Sequence, residues 1–86
     1  MEKNLTIVQD KFTELPNNIE AEQAVIGSIL VSNEIFDEIN IIISSNNFYD
    51  PMHQKIFGAI ESLIYKGLLA NPITLKNYFY NIHLNL

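Results

Sequence analysis

The chain has 86 residues, 48% of them hydrophobic, and ten acids against five lysines give it a net charge of -5, with no arginine and no cysteine. That length allows one small domain, and the missing cysteines exclude disulfides, thiolate catalysis and thiolate metal sites. The lysines (Lys3, Lys11, Lys55, Lys66 and Lys76) stand singly. Direct nucleic-acid binding needs clustered Lys and Arg to displace counterions from phosphates, so any such role runs through a partner.

Residues 1–15 read as a flexible, loosely held leader. Leu5, Val8, Phe12 and Leu15 share a helical spacing, but Thr6, Thr13 and the stop at Pro16 argue for a short or frayed segment. Met1-Glu2-Lys3-Asn4 does not lead into the apolar stretch of a signal peptide. Nor does any apolar run reach the roughly 18 residues of a membrane span. Both features point to a cytoplasmic location.

The first firm helix starts at Asn18, a good N-cap, with Glu20 and Glu22 placed where the helix dipole favours negative charge. Ala21, Val25, Ile26, Ile29 and Leu30 form its apolar face, to about Val31. Gly27 lies inside this helix at a cost of about 1 kcal/mol relative to alanine. Close approach of another helix is the expected compensation, so Gly27 is assigned to a helix crossing.

A second start signal, Ser32-Asn33, leads into a stripe of Ile35, Phe36, Ile39, Ile42 and Ile43, with Glu34, Asp37 and Glu38 outside it. Ile41-Ile42-Ile43 alone would suit a strand. Its position at the end of a periodic stretch, before Ser44-Ser45-Asn46-Asn47, favours a frayed last turn. Phe48 and Tyr49 then read as core plugs rather than a platform for stacked bases.

Asp50-Pro51 is a cap followed by proline at the first helical position. Met52, Ile56, Phe57, Ile60, Leu63 and Ile64 form the longest periodic face, and Gly67 is placed to end that helix. Asn71-Pro72 repeats the cap-and-proline device for a fourth helix carrying Ile73, Leu75, Tyr78 and Phe79. If that helix continues, Leu75, Phe79, Ile82 and Leu86 share one face. Part of this stripe is then expected to stay exposed and to drive weak self-association.

Together these elements predict an all-α fold, a small orthogonal bundle of about four helices. Its expected organisation is a leader at 1–15, a helical domain at 16–80 and a tail at 81–86.

Groups that carry chemistry are sparse. Gly27, Gly58 and Gly67 lie outside any phosphate-cradling loop, so ATP hydrolysis is excluded for these residues alone. His53 and His83 are thirty residues apart with no acid at metal-ligand spacing on the same helix. Asp50 is read as a cap, with His53 packing or bonding locally. Glu20 and Glu22 point to different sides of their helix, which favours cap and dipole roles over paired acid–base chemistry. No catalytic, cofactor-binding, metal-binding or nucleic-acid-binding residue is expected.

Several blocks nevertheless carry a resemblance. Leu15-Pro16-Asn17-Asn18-Ile19-Glu20-Ala21-Glu22-Gln23-Ala24-Val25-Ile26-Gly27-Ser28-Ile29-Leu30 resembles the opening of the N-terminal domain of bacterial replicative DNA helicases of the DnaB type. Phe48-Tyr49-Asp50-Pro51-Met52-His53 is similar to that family's Phe-Tyr-x-Pro-x-His motif at its third helix. Ile56-Phe57 with the spacing to Gly67 matches next, followed by Asn71, where the family commonly has Asp, with Thr74-Leu75 at the expected distance. The resemblance covers about residues 15–79, and four blocks in register make it specific.

It implies a protein-interaction domain that forms part of a collar above the motor domains of a helicase ring and acts in DNA replication and primosome assembly. Helicase subunits and primase are the implied partners. ATP and magnesium belong to the later motor domain, so no cofactor is expected here. The family continues into a helical hairpin used for dimer and primase contacts, which Tyr80-Asn81-Ile82-His83-Leu84-Asn85-Leu86 does not resemble. The expectation is therefore a form truncated before hairpin and motor, by a split reading frame or by trimming. The alternative reading is a free-standing small acidic regulator that binds the helicase ring or another replication protein. A helix-turn-helix at Val31-Ser32-Asn33 is a poor third, because arginine is missing.

Overall fold

The computed structural model describes residues 18–84 and contains four α-helices: α1 (Ile19–Val31), α2 (Phe36–Ile42), α3 (Pro51–Tyr65) and α4 (Pro72–Leu84). Short 3₁₀ turns at Asn33–Ile35 and Ser45–Asn47 link the first three. No strand occurs among the described residues. The fold is all-α, as the periodicity implies. The leader at 1–15 lies outside the described residues, and α4 runs through residues 81–84.

α3 is the central element, packing against α1, α4 and the turn at Ser45–Asn47. Its long apolar face explains this position: Phe57, Ala59, Ile60 and Leu63 are all buried. Val25 and Ile29 of α1, Phe36 and Ile39 of α2, and Phe48 close over it. Three phenylalanines form the centre. Phe57 lies 5.0 Å from Phe48 and 5.5 Å from Phe36 between ring centroids, both tilted, the offset arrangement that ring quadrupoles favour. The run Ile41-Ile42-Ile43 ends α2 as expected, with Ile43 turning extended and buried.

The helix ends follow local rules. Asn18 Oδ1 accepts from the Ala21 amide at 3.0 Å, and Asp50 Oδ1 accepts from the Met52 amide at 2.8 Å ahead of Pro51. Asn71 Oδ1 accepts from the Ile73 and Thr74 amides, each at 2.9 Å, while Thr74 Oγ1 accepts from the Asn71 amide at 2.9 Å. This reciprocal pairing satisfies the donors that a helix start leaves open. Gly67 adopts φ 76°, the left-handed conformation that suits glycine. The Leu68 amide then reaches the Leu63 carbonyl at 3.0 Å and the Gly67 amide reaches Ile64 at 2.9 Å, a Schellman ending.

Three expectations require correction. Gly27 does not sit at a helix crossing: it is exposed, and a Cβ added there meets nothing within 4 Å. α1 buries the opposite side, through Ala21, Val25 and Ile29. Tyr49 is not a core plug, for its side chain is 58% exposed while Phe48 fills the core. Ser32-Asn33 does not cap α2, since neither side chain bonds a first-turn amide. The 3₁₀ turn intervenes, and Asn33 is engaged elsewhere.

Candidate protein-interaction surface

Two polar side chains fix how the helices meet and hence which surface is left outside. The first is Glu22, in the first turn of α1 and only 1% exposed. Its helix carries it inward because it shares the face of Ala21, Val25 and Ile29, not the outer face of Glu20. Glu22 Oε2 accepts from the Tyr49 amide at 2.5 Å. Oε1 accepts from the Asp50 amide at 3.2 Å and lies 2.7 Å from His53 Nδ1. For the carboxylate to accept from the ring, the imidazole carries its proton on Nδ1.

His53 itself is 8% exposed, and its ring stands edge-on to Phe48 at 6.4 Å between centroids. Gln54 Nε2 donates to the Phe48 carbonyl at 2.7 Å and tightens the same corner. Glu22 thus acts as a cap supplied from a different helix. It takes up amides at the start of α3, where the dipole also favours a negative group. Glu22 keeps its first-turn place at the positive end of its own helix and adds a role at the start of a second one. His53 packs locally, against Phe48, but its bond is not local: it and Glu22 lie 31 residues apart. A paired-acid role with Glu20 has no geometry behind it, since one side chain faces the core and the other solvent.

The second is Asn33. Its Nδ2 donates to the Ile29 carbonyl at 2.8 Å and to the Ala70 carbonyl at 2.9 Å, and its Oδ1 accepts from the Ala70 amide at 2.8 Å. One neutral side chain thereby ties the α1–α2 joint to the α3–α4 loop across 37 residues of sequence. Among the described residues no buried side-chain polar atom lacks a hydrogen bond. No grouping of His, Asp and Glu there suits a metal ion. The side chain of His83 lies outside the described set.

The outer surface carries exposed apolar side chains, including Val31, Ile41, Tyr65, Leu68, Leu69 and Ile73. The stripe expected on α4 is partly consumed: Leu75 is buried, Phe79 is half-buried against the core, and Ile82 is 40% exposed. Leu86 lies outside the described residues. No helix among those residues is long and apolar enough to cross a membrane.

The model of the DnaB-like helicase N-terminal domain matches residues 14–85. The chain belongs to this family. Among its relatives, the replicative DNA helicase DnaB of Rickettsia felis is 46% identical over 63 residues, covering 73% of this chain and 13% of the relative. That of Buchnera aphidicola subsp. Baizongia pistaciae is 42% identical over 74 residues, covering 86% and 16%. The Pasteurella multocida DnaB is 36% identical over 64 residues, covering 74% and 13%. No solved structure gives a significant match.

The chain therefore spans about an eighth to a sixth of the length of these helicases. The match lies in the N-terminal domain, and most of the length of each relative falls outside it. The DnaB-type blocks acquire a physical meaning in the fold. The first and second supply the two halves of the Glu22 clamp. The third ends at the left-handed Gly67, and the fourth is the Asn71–Thr74 cap.

Proposed function

We propose that the chain serves as the N-terminal collar domain of a replicative DNA helicase, a protein-interaction module in DNA replication and primosome assembly. The observation that carries this reading is the match to the DnaB-type N-terminal domain over residues 14–85. The arrangement of polar groups supports it. The buried carboxylate and imidazole are spent on holding α1 to α3, so contacts with other proteins are left to the outer apolar side chains. Helicase subunits are the first partners and primase the second. The domain works in the cytoplasm and associates weakly with itself. It uses no cofactor, metal or nucleic-acid site of its own; nucleotide and magnesium belong to the motor.

Calorimetric titration of the purified chain into a bacterial primase, and separately into a DnaB-type helicase, tests this. Saturable binding to either, with no DNA-stimulated ATP hydrolysis by the chain alone, is the expected result. Hydrolysis by the pure chain, or binding to neither protein, overturns it. Inhibition of the helicase ring at stoichiometric chain would instead favour a free-standing acidic regulator.

A further inference from the structure

The Glu22 clamp and the aromatic centre bind the described helices unevenly. The clamp joins α1 to the start of α3, and the ring contacts run from Phe36 of α2 through Phe57 of α3 to Phe48. None of these reaches α4, whose principal helix contact is α3. Among the described side chains of α4 only Leu75 is buried, with Tyr78 and Phe79 half-buried against the core. α3, by contrast, buries His53, Phe57, Ala59, Ile60 and Leu63. The Tyr78 and Phe79 rings stand edge-on at 5.5 Å, a contact made within α4 itself.

The composition of α4 is a second, independent weakness. After Pro72 only Leu75, Lys76 and Leu84 are strong helix formers. The intervening isoleucine, threonine, asparagine, tyrosine, phenylalanine and histidine residues each give up helix stability relative to alanine. No acid stands in the first turn to meet the dipole, and none further along pairs with Lys76. A helix of 13 residues with this composition is marginal once separated from its packing. The loop before it is held differently: Ala70 is fully buried, and both its N–H and its C=O are bonded to Asn33.

We propose that α4 is a separately opening arm, which detaches and unfolds beyond the clamped Ala70 while α1, α2 and α3 stay folded. The pivot lies between Ala70, which Asn33 holds to the α1–α2 joint, and Leu75, the buried anchor of the arm. Opening gives up the burial of Leu75, Tyr78 and Phe79 and the Asn71–Thr74 cap. It breaks none of the Glu22 bonds and none of the contacts among Phe36, Phe48 and Phe57. Such an opening is sub-global, and its cost is smaller than that of unfolding the whole domain. It bares apolar side chains that the closed form conceals, so a protein that binds them shifts the population toward the open arm.

Amide hydrogen exchange of the full chain, followed by NMR at several urea concentrations below the unfolding transition, tests the proposal. The amides of Leu75 to Phe79 should exchange together, about a hundredfold or more faster than those of Phe57 to Leu63 and with a weaker dependence on urea. The Ala70 amide should exchange with α3. Leu75→Ala should speed exchange in α4 about tenfold or more and leave α1 and α3 at their wild-type rates. Glu22→Ala should do the reverse, accelerating α1 and α3 while α4 keeps its rate. Exchange of all four helices at one rate with one urea dependence overturns the arm, as does a Leu75→Ala variant that accelerates every helix alike. Protection that merely declines toward the end of α4, with Leu75 as slow as Phe57, is ordinary fraying and overturns it too. An Ala70 amide that exchanges with α4 overturns the pivot.

Discussion

Glu22 and Asn33 do the same job at opposite ends of α1, by different means. Each side chain bonds backbone groups of a distant segment, and each fixes where α1 meets the α3–α4 half of the molecule. Glu22 is sealed from solvent and carries an ionisable group, while Asn33 is half-buried and neutral. A sealed carboxylate must be matched by every donor it meets, whereas a half-wet amide can exchange a lost bond for water. The first joint should therefore be brittle and the second tolerant.

The sharpest way to break this comparison is Glu22→Ala. It leaves the Tyr49 and Asp50 amides and the His53 ring without their acceptor, and should cost about 3–5 kcal/mol in urea unfolding. A loss no greater than that of an exposed carboxylate such as Glu20→Ala would show that the sealed joint is not under load. Asn33→Ala removes three bonds, but water can reach the site, so about 1–2 kcal/mol is expected in the same measurement. If it proves as costly as Glu22→Ala, solvent access is not what separates the two joints.

Two glycines sharpen the comparison further. Gly67 shapes the loop that Asn33 grips, and its positive φ makes Gly67→Ala cost about 1–2 kcal/mol through strain at the left-handed position. Loss of the same amount in an Asn33→Ala background would show that the two act independently. Gly27 lies on α1 between the two joints, with open space where a Cβ would go. Gly27→Ala should accordingly stabilise by about 0.5–1 kcal/mol through helix propensity. A fall in the unfolding midpoint would restore a close helix contact at that position.

How much of this was legible in the chain depends on the range of the interaction. Asn18, Asp50-Pro51, Gly67 and Asn71-Pro72 act on amides and carbonyls within a turn of themselves, and all four mark helix ends where local rules put them. Asn33 has the residue type of a cap and follows a helix, so local rules assign it to the next helix start. Its partner lies in a loop 37 residues away, and no local signal identifies that loop. Glu22 differs from Glu20 only in sharing a face with Ala21, Val25 and Ile29. That shared face was the available signal for burial, and the dipole argument, equally valid for both acids, concealed it.

Gly27 shows the converse. A mid-helix glycine costs helix stability wherever it occurs, but whether anything compensates depends on which side of α1 faces the core. The sequence by itself determined the helix class, the caps at Asn18, Asp50 and Asn71, the apolar faces and the family, because periodicity and capping act within a few residues and leave their pattern in the chain. Only the tertiary structure decided the joining of Glu22 to His53, that of Asn33 to Ala70, and the exposure of Tyr49 and Gly27. Each depends on the packing of one helix against another, and a buried polar group takes its partner from whatever that packing brings within about 3 Å.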